Sequence, residues 1–262
     1  MPSLPTNPTK ASSSRIIGLR QALSTLRPDD ALVRWMIDES KSVDVAEGLV
    51  SEGSNVAWLG RASRPGESWI TALGEDDHVV VRLVQALAAS FDVDGVTVPD
   101  TAFELLPAEL TSPDPGHWCL WTRPSDIDGL DPGDARVIDA DDERIASLLA
   151  HSSSAHVFPG DPRVVEWVGC EEGGQLVAVA ARLREDSGAA HLVSVCTAPE
   201  ARGRGLAANC CSRLILRAVE QGAPIVVLEM YVDNDAGRCL YTRLGFTEVG
   251  RYKSGLLDGR HG

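Results

Sequence analysis

The sequence predicts an α/β chain of the α+β kind, arranged as two successive domains. Three observations carry that prediction. Strand-like runs alternate with helical repeats along the chain, and the order of elements in the first half is echoed in the second. A stretch rich in Pro, Gly and Asp, "TRPSDIDGLDPGDAR" (122–136), separates the halves. With 262 residues there is enough chain to bury two ordinary cores.

The amino terminus, "MPSLPTNPTKASSSR", is polar and Pro/Ser-rich without the apolar stretch of a secretory signal, so residues 1–14 read as a disordered lead-in. Residues 15–125 form the first domain. Its "SNVAWLGRA" and "ESWITALG" read as strands, "DDHVVVRLVQALAAS" as a helix, "DGVTVPD" as a strand, "TAFELLPAEL" as a broken helix and "HWCLWT" as a closing strand. Tryptophans at 35, 58, 69, 118 and 121 give this half much apolar area to bury.

The second domain is 134–262. "ARVID" is a short strand and "DADDERIASLLAHSS" a capped helix. "VEWVGCEEGGQLVAVAARL" (165–183) makes two strands around Glu-Gly-Gly, a hairpin signal, and "AAHLVSVCT" (189–197) is another strand. Apolar residues at 207, 210, 211, 214, 215, 218 and 219 mark one face of a helix, which Gly222 stops. "PIVVLEMYV" (224–232) is a strand, "NDAGRCLYTRL" a short helix ended by Gly245-Phe246, and "FTEVGRYKSGLL" a returning strand.

Composition narrows the function. A net charge of −14 argues against nucleic-acid binding, which requires a basic face, and suits a cationic substrate. No run is apolar for long enough to span a membrane. The six cysteines show no C-x-x-C spacing, so reduced thiols in a cytoplasm are expected, with no zinc site. His151 and His156 flank "SSSA" with no ligand partner at metal spacing.

Against this acidic background "EARGRGLA" (200–207) stands out. A strand, a glycine-rich turn and a helix start form an anion site, because the first helical N–H groups lack internal partners and the helix dipole is positive there. Gly203 and Gly205 let the backbone approach a phosphate, Arg202 and Arg204 add charge, and Leu206, Ala207 and Ala208 begin the helix. A solvated turn is the alternative. A dinucleotide fingerprint (Gly203, Gly205, Ala208, with Asp233 ending the next strand) fits less well: the preceding strand stops near Thr197, and too little chain remains for a doubly wound sheet. The first half has "LGEDDH" at the equivalent place, where Glu75, Asp76 and Asp77 would repel an anion.

"VCTAPEARGRGLA" followed by "LEMYVDNDAGRCLYTRLGF" resembles the GNAT superfamily of acyl-CoA-dependent N-acyltransferases. Arg202, Gly205 and Ala207 meet its pyrophosphate loop; Asn234, Tyr241 and Gly245-Phe246 meet its next motif. The resemblance implies two GNAT-like domains, each a mixed, mostly antiparallel sheet flanked by helices, the first a degenerate copy without the cofactor loop. It implies acetyl-CoA as cosubstrate and a primary amine, on a small molecule or peptide, as acceptor. The pantetheine arm would pair with backbone at Val195, Cys196 and Thr197, with Asn234 also at the cofactor, and a backbone N–H near Val195 would serve the oxyanion. A homodimer is compatible with it.

An alkylamine, with a pKa of about 10.4, must lose a proton before it attacks, and the departing thiolate needs a donor. Tyr241 stands where the family keeps its general acid; otherwise it is a buried aromatic packed on Leu244. Glu229 interrupts an apolar strand five residues before Asn234, where some family members carry a catalytic Glu; otherwise it is a salt bridge to Arg213 or Arg243. His191, on the neighbouring strand, is a weaker base candidate or a satisfied structural histidine. A non-catalytic acyl-CoA-binding regulatory pseudoenzyme is the competing reading, and intact Glu229 and Tyr241 count against it.

Overall fold

The computed structural model describes residues 48–61, 67–185 and 187–257. The lead-in expected at 1–14, and Trp35, lie outside them. The fold is mixed α/β, and the chain divides into two compact units, residues 1–119 with 250–262 and residues 120–249. The boundaries fall inside two strands, β5 (Gly116–Pro124) and β11 (Thr247–Leu256). Residues 250–257 thus pack with the first unit, whereas the sequence reading placed them in the second. The reason is a ladder: Tyr252 to Leu256 pair antiparallel with Pro99 to Gly95.

In the first unit, β1 (Leu49–Glu52), β2 (Asn55–Arg61) and β3 (Ser68–Leu73) run antiparallel in turn, and β3 pairs parallel with β4 (Gly95–Pro99). β1 was not anticipated; four residues are too few to show a period of two. Helix α1 (Asp77–Ala88) lays Val80, Val84 and Leu87 on Ile70, Val96 and Val98, all nearly or fully buried. Each such side chain contributes about 1.5–3 kcal/mol. Asp76 caps α1, its carboxylate accepting from the N–H groups of His78 and Val79. The broken helix resolves into α2 (Asp100–Phe103) and a 3-10 turn at Ala108–Leu110.

The second unit holds β6 (Arg136–Ile138), β7 (Val164–Glu172), β8 (Gln175–Arg184), β9 (Ala190–Thr197) and β10 (Ile225–Tyr231). Neighbouring strands from β6 to β9 are antiparallel, and β9 pairs parallel with β10. Helices α3 (Glu143–Leu149), α4 (Leu206–Glu220) and α5 (Asp235–Arg243) follow the expected segments. α4 buries Cys210, Cys211, Ser212, Leu214, Ile215 and Ala218. A buried ion pair ties this helix to the sheet: Glu166 on β7 accepts from Arg182 on β8 at 2.8 and 3.1 Å and from Arg217 on α4, while Gln221 accepts from Arg182 at 2.6 Å. Among the described residues no helix is long and apolar enough to cross a membrane.

Candidate active site

β9 and β10 stay together only briefly. Ala190 pairs with Val226 and His191 with Val227, and there the ladder between the described residues ends. The cause lies on β9. Val179 of β8 faces Cys196 and Ala181 faces Val193, so Ala180 alone spans Ser194 and Val195. Such a bulge bends its strand and sharpens the twist, turning β9 away from β10. Ser194 takes φ +53°, the left-handed region, which no other non-glycine residue described here adopts. Its hydroxyl donates to the Val157 carbonyl at 2.7 Å, which holds the kink. Nothing in the sequence announces this bulge, since Ser194 sits in an unbroken strand pattern.

Beyond the C-terminal end of β9 the chain makes a 3-10 turn at Pro199–Ala201 and enters α4 through Arg202–Gly205. Gly203 and Gly205 adopt φ +76° and +82°, where a side chain is strained. A Cβ would meet nothing within 4 Å at either place, so conformation rather than crowding requires glycine. α1, α3 and α5 are capped by the side chains of Asp76, Asp142 and Asn234, whereas α4 has no side-chain cap and no acid in its first turn. The uncapped N–H groups and positive dipole end of α4 therefore favour an external anion. Arg202 is anchored by its Nε donating to the Thr197 carbonyl at 3.2 Å. Arg204 makes a two-pronged contact to Glu172, at 2.8 and 2.5 Å, which sequence reasoning did not foresee.

In the first unit the N-terminus of α1 is capped from within. The Asp76 carboxylate accepts from the first N–H groups of α1, those of His78 and Val79.

Between the diverging strands, Glu229 is about 29% exposed, and its Oε2 lies 3.7 Å from Nε2 of buried His191. Among the described residues it forms no ion pair with Arg213, whose Nε donates to the Ala135 carbonyl, or with Arg243. His191 is held from behind, its Nδ1 2.7 Å from Oε1 of Glu185. Glu185 follows directly on β8 and is 3% exposed; sequence reasoning missed it because its polar surroundings resemble a loop.

Tyr241 is buried on α5, its ring edge-on to Phe246 with centroids 5.8 Å apart. Burial, with a smaller contribution from Cys211, pushes its phenol well above the usual range. It stays protonated at neutral pH. Asn234 caps α5, its Oδ1 accepting from the Gly237 N–H at 2.8 Å. A Cβ on Gly237 would sit 2.7 Å from Asn234 Nδ2, so the two residues are paired. Of the backbone segment expected at the cofactor, Val195 and Thr197 are half-buried at the kink and strand end; the Cys196 thiol turns inward to the Leu148 carbonyl at 3.3 Å. Among the described residues no cluster of His, Cys, Asp or Glu is placed to hold a metal ion.

In the second unit β9 splays from its parallel neighbour β10, and the uncapped glycine loop lies beyond the splay. Residues 135–246 match the model of the acetyltransferase (GNAT) family. Among solved structures the chain resembles a GCN5-related N-acetyltransferase from Kribbella flavida at 18% identity, TM-score 0.59, covering 93% of this chain and 96% of that one. It also resembles a GCN5-related N-acetyltransferase from Sphaerobacter thermophilus (17% identity, TM-score 0.54, 97% of each chain). An acetyltransferase from the GNAT family of Colwellia psychrerythraea is similar at 15% identity and TM-score 0.51, over 80% and 84%. No curated protein matches. Residues 135–246 are a GNAT acetyltransferase domain, and the protein is an acyltransferase.

Proposed function

We propose that the protein moves an acetyl group from acetyl-CoA to a primary amine by direct attack in a ternary complex. The observation that carries this is the uncapped α4 N-terminus, with Gly203 and Gly205 in the left-handed region, set beyond the strand end where β9 leaves β10. The residues present suit the cosubstrate: N–H groups of 203–208 and the two arginines would hold a pyrophosphate, and the free edge of Val195–Thr197 would pair with the pantetheine amides, with Asn234 alongside. The pyrophosphate would displace Glu172 from Arg204. When bound, acetyl-CoA supplies an activated thioester.

In this reading the chain's own groups do the proton work. Glu229 takes a proton from the incoming ammonium, and Tyr241, held protonated by burial, donates to the departing thiolate. An overall acidic protein draws in a cationic acceptor. The first half is a degenerate GNAT-like copy that binds no acyl-CoA, supported by Asp76 occupying its helix N-terminus.

Calorimetry with acetyl-CoA should give one site per chain, abolished by Arg202→Glu with Arg204→Glu. A panel of free lysine, spermidine, an aminoglycoside and an alanine-initiated peptide, followed by thiol release, should show turnover with at least one amine. Two binding sites, or none, would sink the reading. Glu229→Gln should lose most at pH 7 and recover as pH rises and free amine is supplied; an equal loss at pH 9.5 would remove Glu229 as the base.

A further inference from the structure

Glu229 does not stand alone. Three titratable side chains lie in a row from the cleft inward: Glu229 on β10, His191 on β9 and Glu185 at the end of β8. Their exposures fall from 29% to 5% to 3%, so the row leads from solvent into the sheet. A carboxylate can only accept, so Nδ1 of His191 carries the hydrogen that Glu185 receives at 2.7 Å. That fixes the neutral tautomer, with the Nε2 lone pair turned toward Glu229 at 3.7 Å. Two carboxylates facing one imidazole stabilise the imidazolium once a proton arrives. A satisfied structural histidine needs one partner; this one is aimed at a second carboxylate that borders the cleft.

We infer that His191, oriented by Glu185, is the proton acceptor behind Glu229 and stores the proton taken from the amine. The inference rests on the reading of Glu229 as the amine's base. The ammonium gives its proton to the Glu229 carboxylate, and the nitrogen keeps the electron pair for attack. Glu229 then passes that proton to Nε2, its oxygen closing from 3.7 Å to hydrogen-bond distance by a small side-chain rotation. Imidazolium forms between two carboxylates, Glu229 is a carboxylate again, and no other group changes its proton count. After product leaves, the proton returns to solvent through Glu229. His191 and Glu185 act through Glu229, so both are positioning residues. With His191 neutral the row carries two negative charges, which attract an arriving ammonium.

The test uses the whole chain in two measurements. The first follows the His191 ring C–H by nuclear magnetic resonance across pH and needs no acceptor. Glu229→Gln, a change at the cleft edge, should lower the midpoint of that titration by about one unit, and Glu185→Gln should lower it further. An unmoved midpoint in Glu229→Gln overturns the inference whatever the acceptor proves to be. The second is the pH profile of kcat/KM with an amine from the panel. The acid limb of the wild type should move to lower pH in His191→Gln. Activity at pH 7 should drop by about 10²-fold, with acetyl-CoA affinity kept. A role in stability alone would scale the profile without moving the limb, and that outcome rejects the relay. The parent reading fails separately: Glu229→Gln with full activity removes Glu229 as base, whereas an inactive Glu229→Gln beside an unshifted His191→Gln removes only the relay.

Discussion

Replacing Gly205 by alanine should separate backbone conformation from ligand contact in the α4 loop. Gly205 sits at φ +82°, and an added Cβ would meet nothing within 4 Å, so the substitution brings no clash. What remains is the cost of holding an L-residue in the left-handed region, about 1–2 kcal/mol. The mutant has two ways to respond. If the loop keeps its shape, folding stability falls by the whole amount, visible as a lower urea midpoint with an unchanged m-value, and acetyl-CoA affinity is kept. If the loop relaxes to negative φ, stability recovers and the penalty moves to binding. It then cannot exceed about 5- to 30-fold, because each 1.4 kcal/mol is a factor of ten. Losses in stability and binding should therefore sum to about 1–2 kcal/mol however they divide. Gly203→Ala, at φ +76° and equally open, should behave alike. Gly205→Asn should cost less, since asparagine tolerates this region. Denaturation and calorimetry on the same samples check the sum. A Gly205→Ala protein as stable and as tightly binding as wild type would refute the strain argument, and a combined loss well beyond 2 kcal/mol would show that the glycine also touches the ligand.

Glu166→Gln should destabilise the second unit by about 3–5 kcal/mol in urea denaturation, because it strips the charge partner from buried Arg182; a loss under 1 kcal/mol would show that Gln221 alone satisfies the guanidinium. Tyr241→Phe should fold and bind normally but lose about 10²–10⁴-fold in single-turnover rate. Because burial raises the phenol's pKa, the wild-type residue remains protonated from pH 7 to 9 and the ratio should be the same at both; a ratio that collapses toward one as pH rises would mean the phenol ionises in that window. A thiol reagent should label Cys239, the exposed cysteine, in the native protein far faster than Cys211, whose buried thiol is pushed up to about 12; mass spectrometry showing equal rates would contradict that burial.

Much of the second unit is legible residue by residue. Periodicity of 3.6 marked α4 and short apolar runs marked β7 to β10, because both are written in which residues must avoid water. Gly222 and Gly245, at φ +83° and +78°, announced helix ends because few other residues go there cheaply. Gly203 and Gly205 likewise marked the turn into α4, because both take the left-handed region that few other residues adopt cheaply. What the sequence could not carry are facts about partners far along the chain. The bulge at Ser194 depends on the register between β8 and β9 and on the Val157 carbonyl, 37 residues away in sequence. The pairing of Arg204 with Glu172, the exclusion of Arg213 and Arg243 from Glu229, and the row from Glu229 through His191 to Glu185 depend on which strands lie side by side. The return of Gly250–Leu256 to the first unit has the same origin. Local conformational preference and periodic burial act over a few residues and can be read in order. Hydrogen bonds and ion pairs act over about 3 Å of space, and only the folded chain decides which residues come that close.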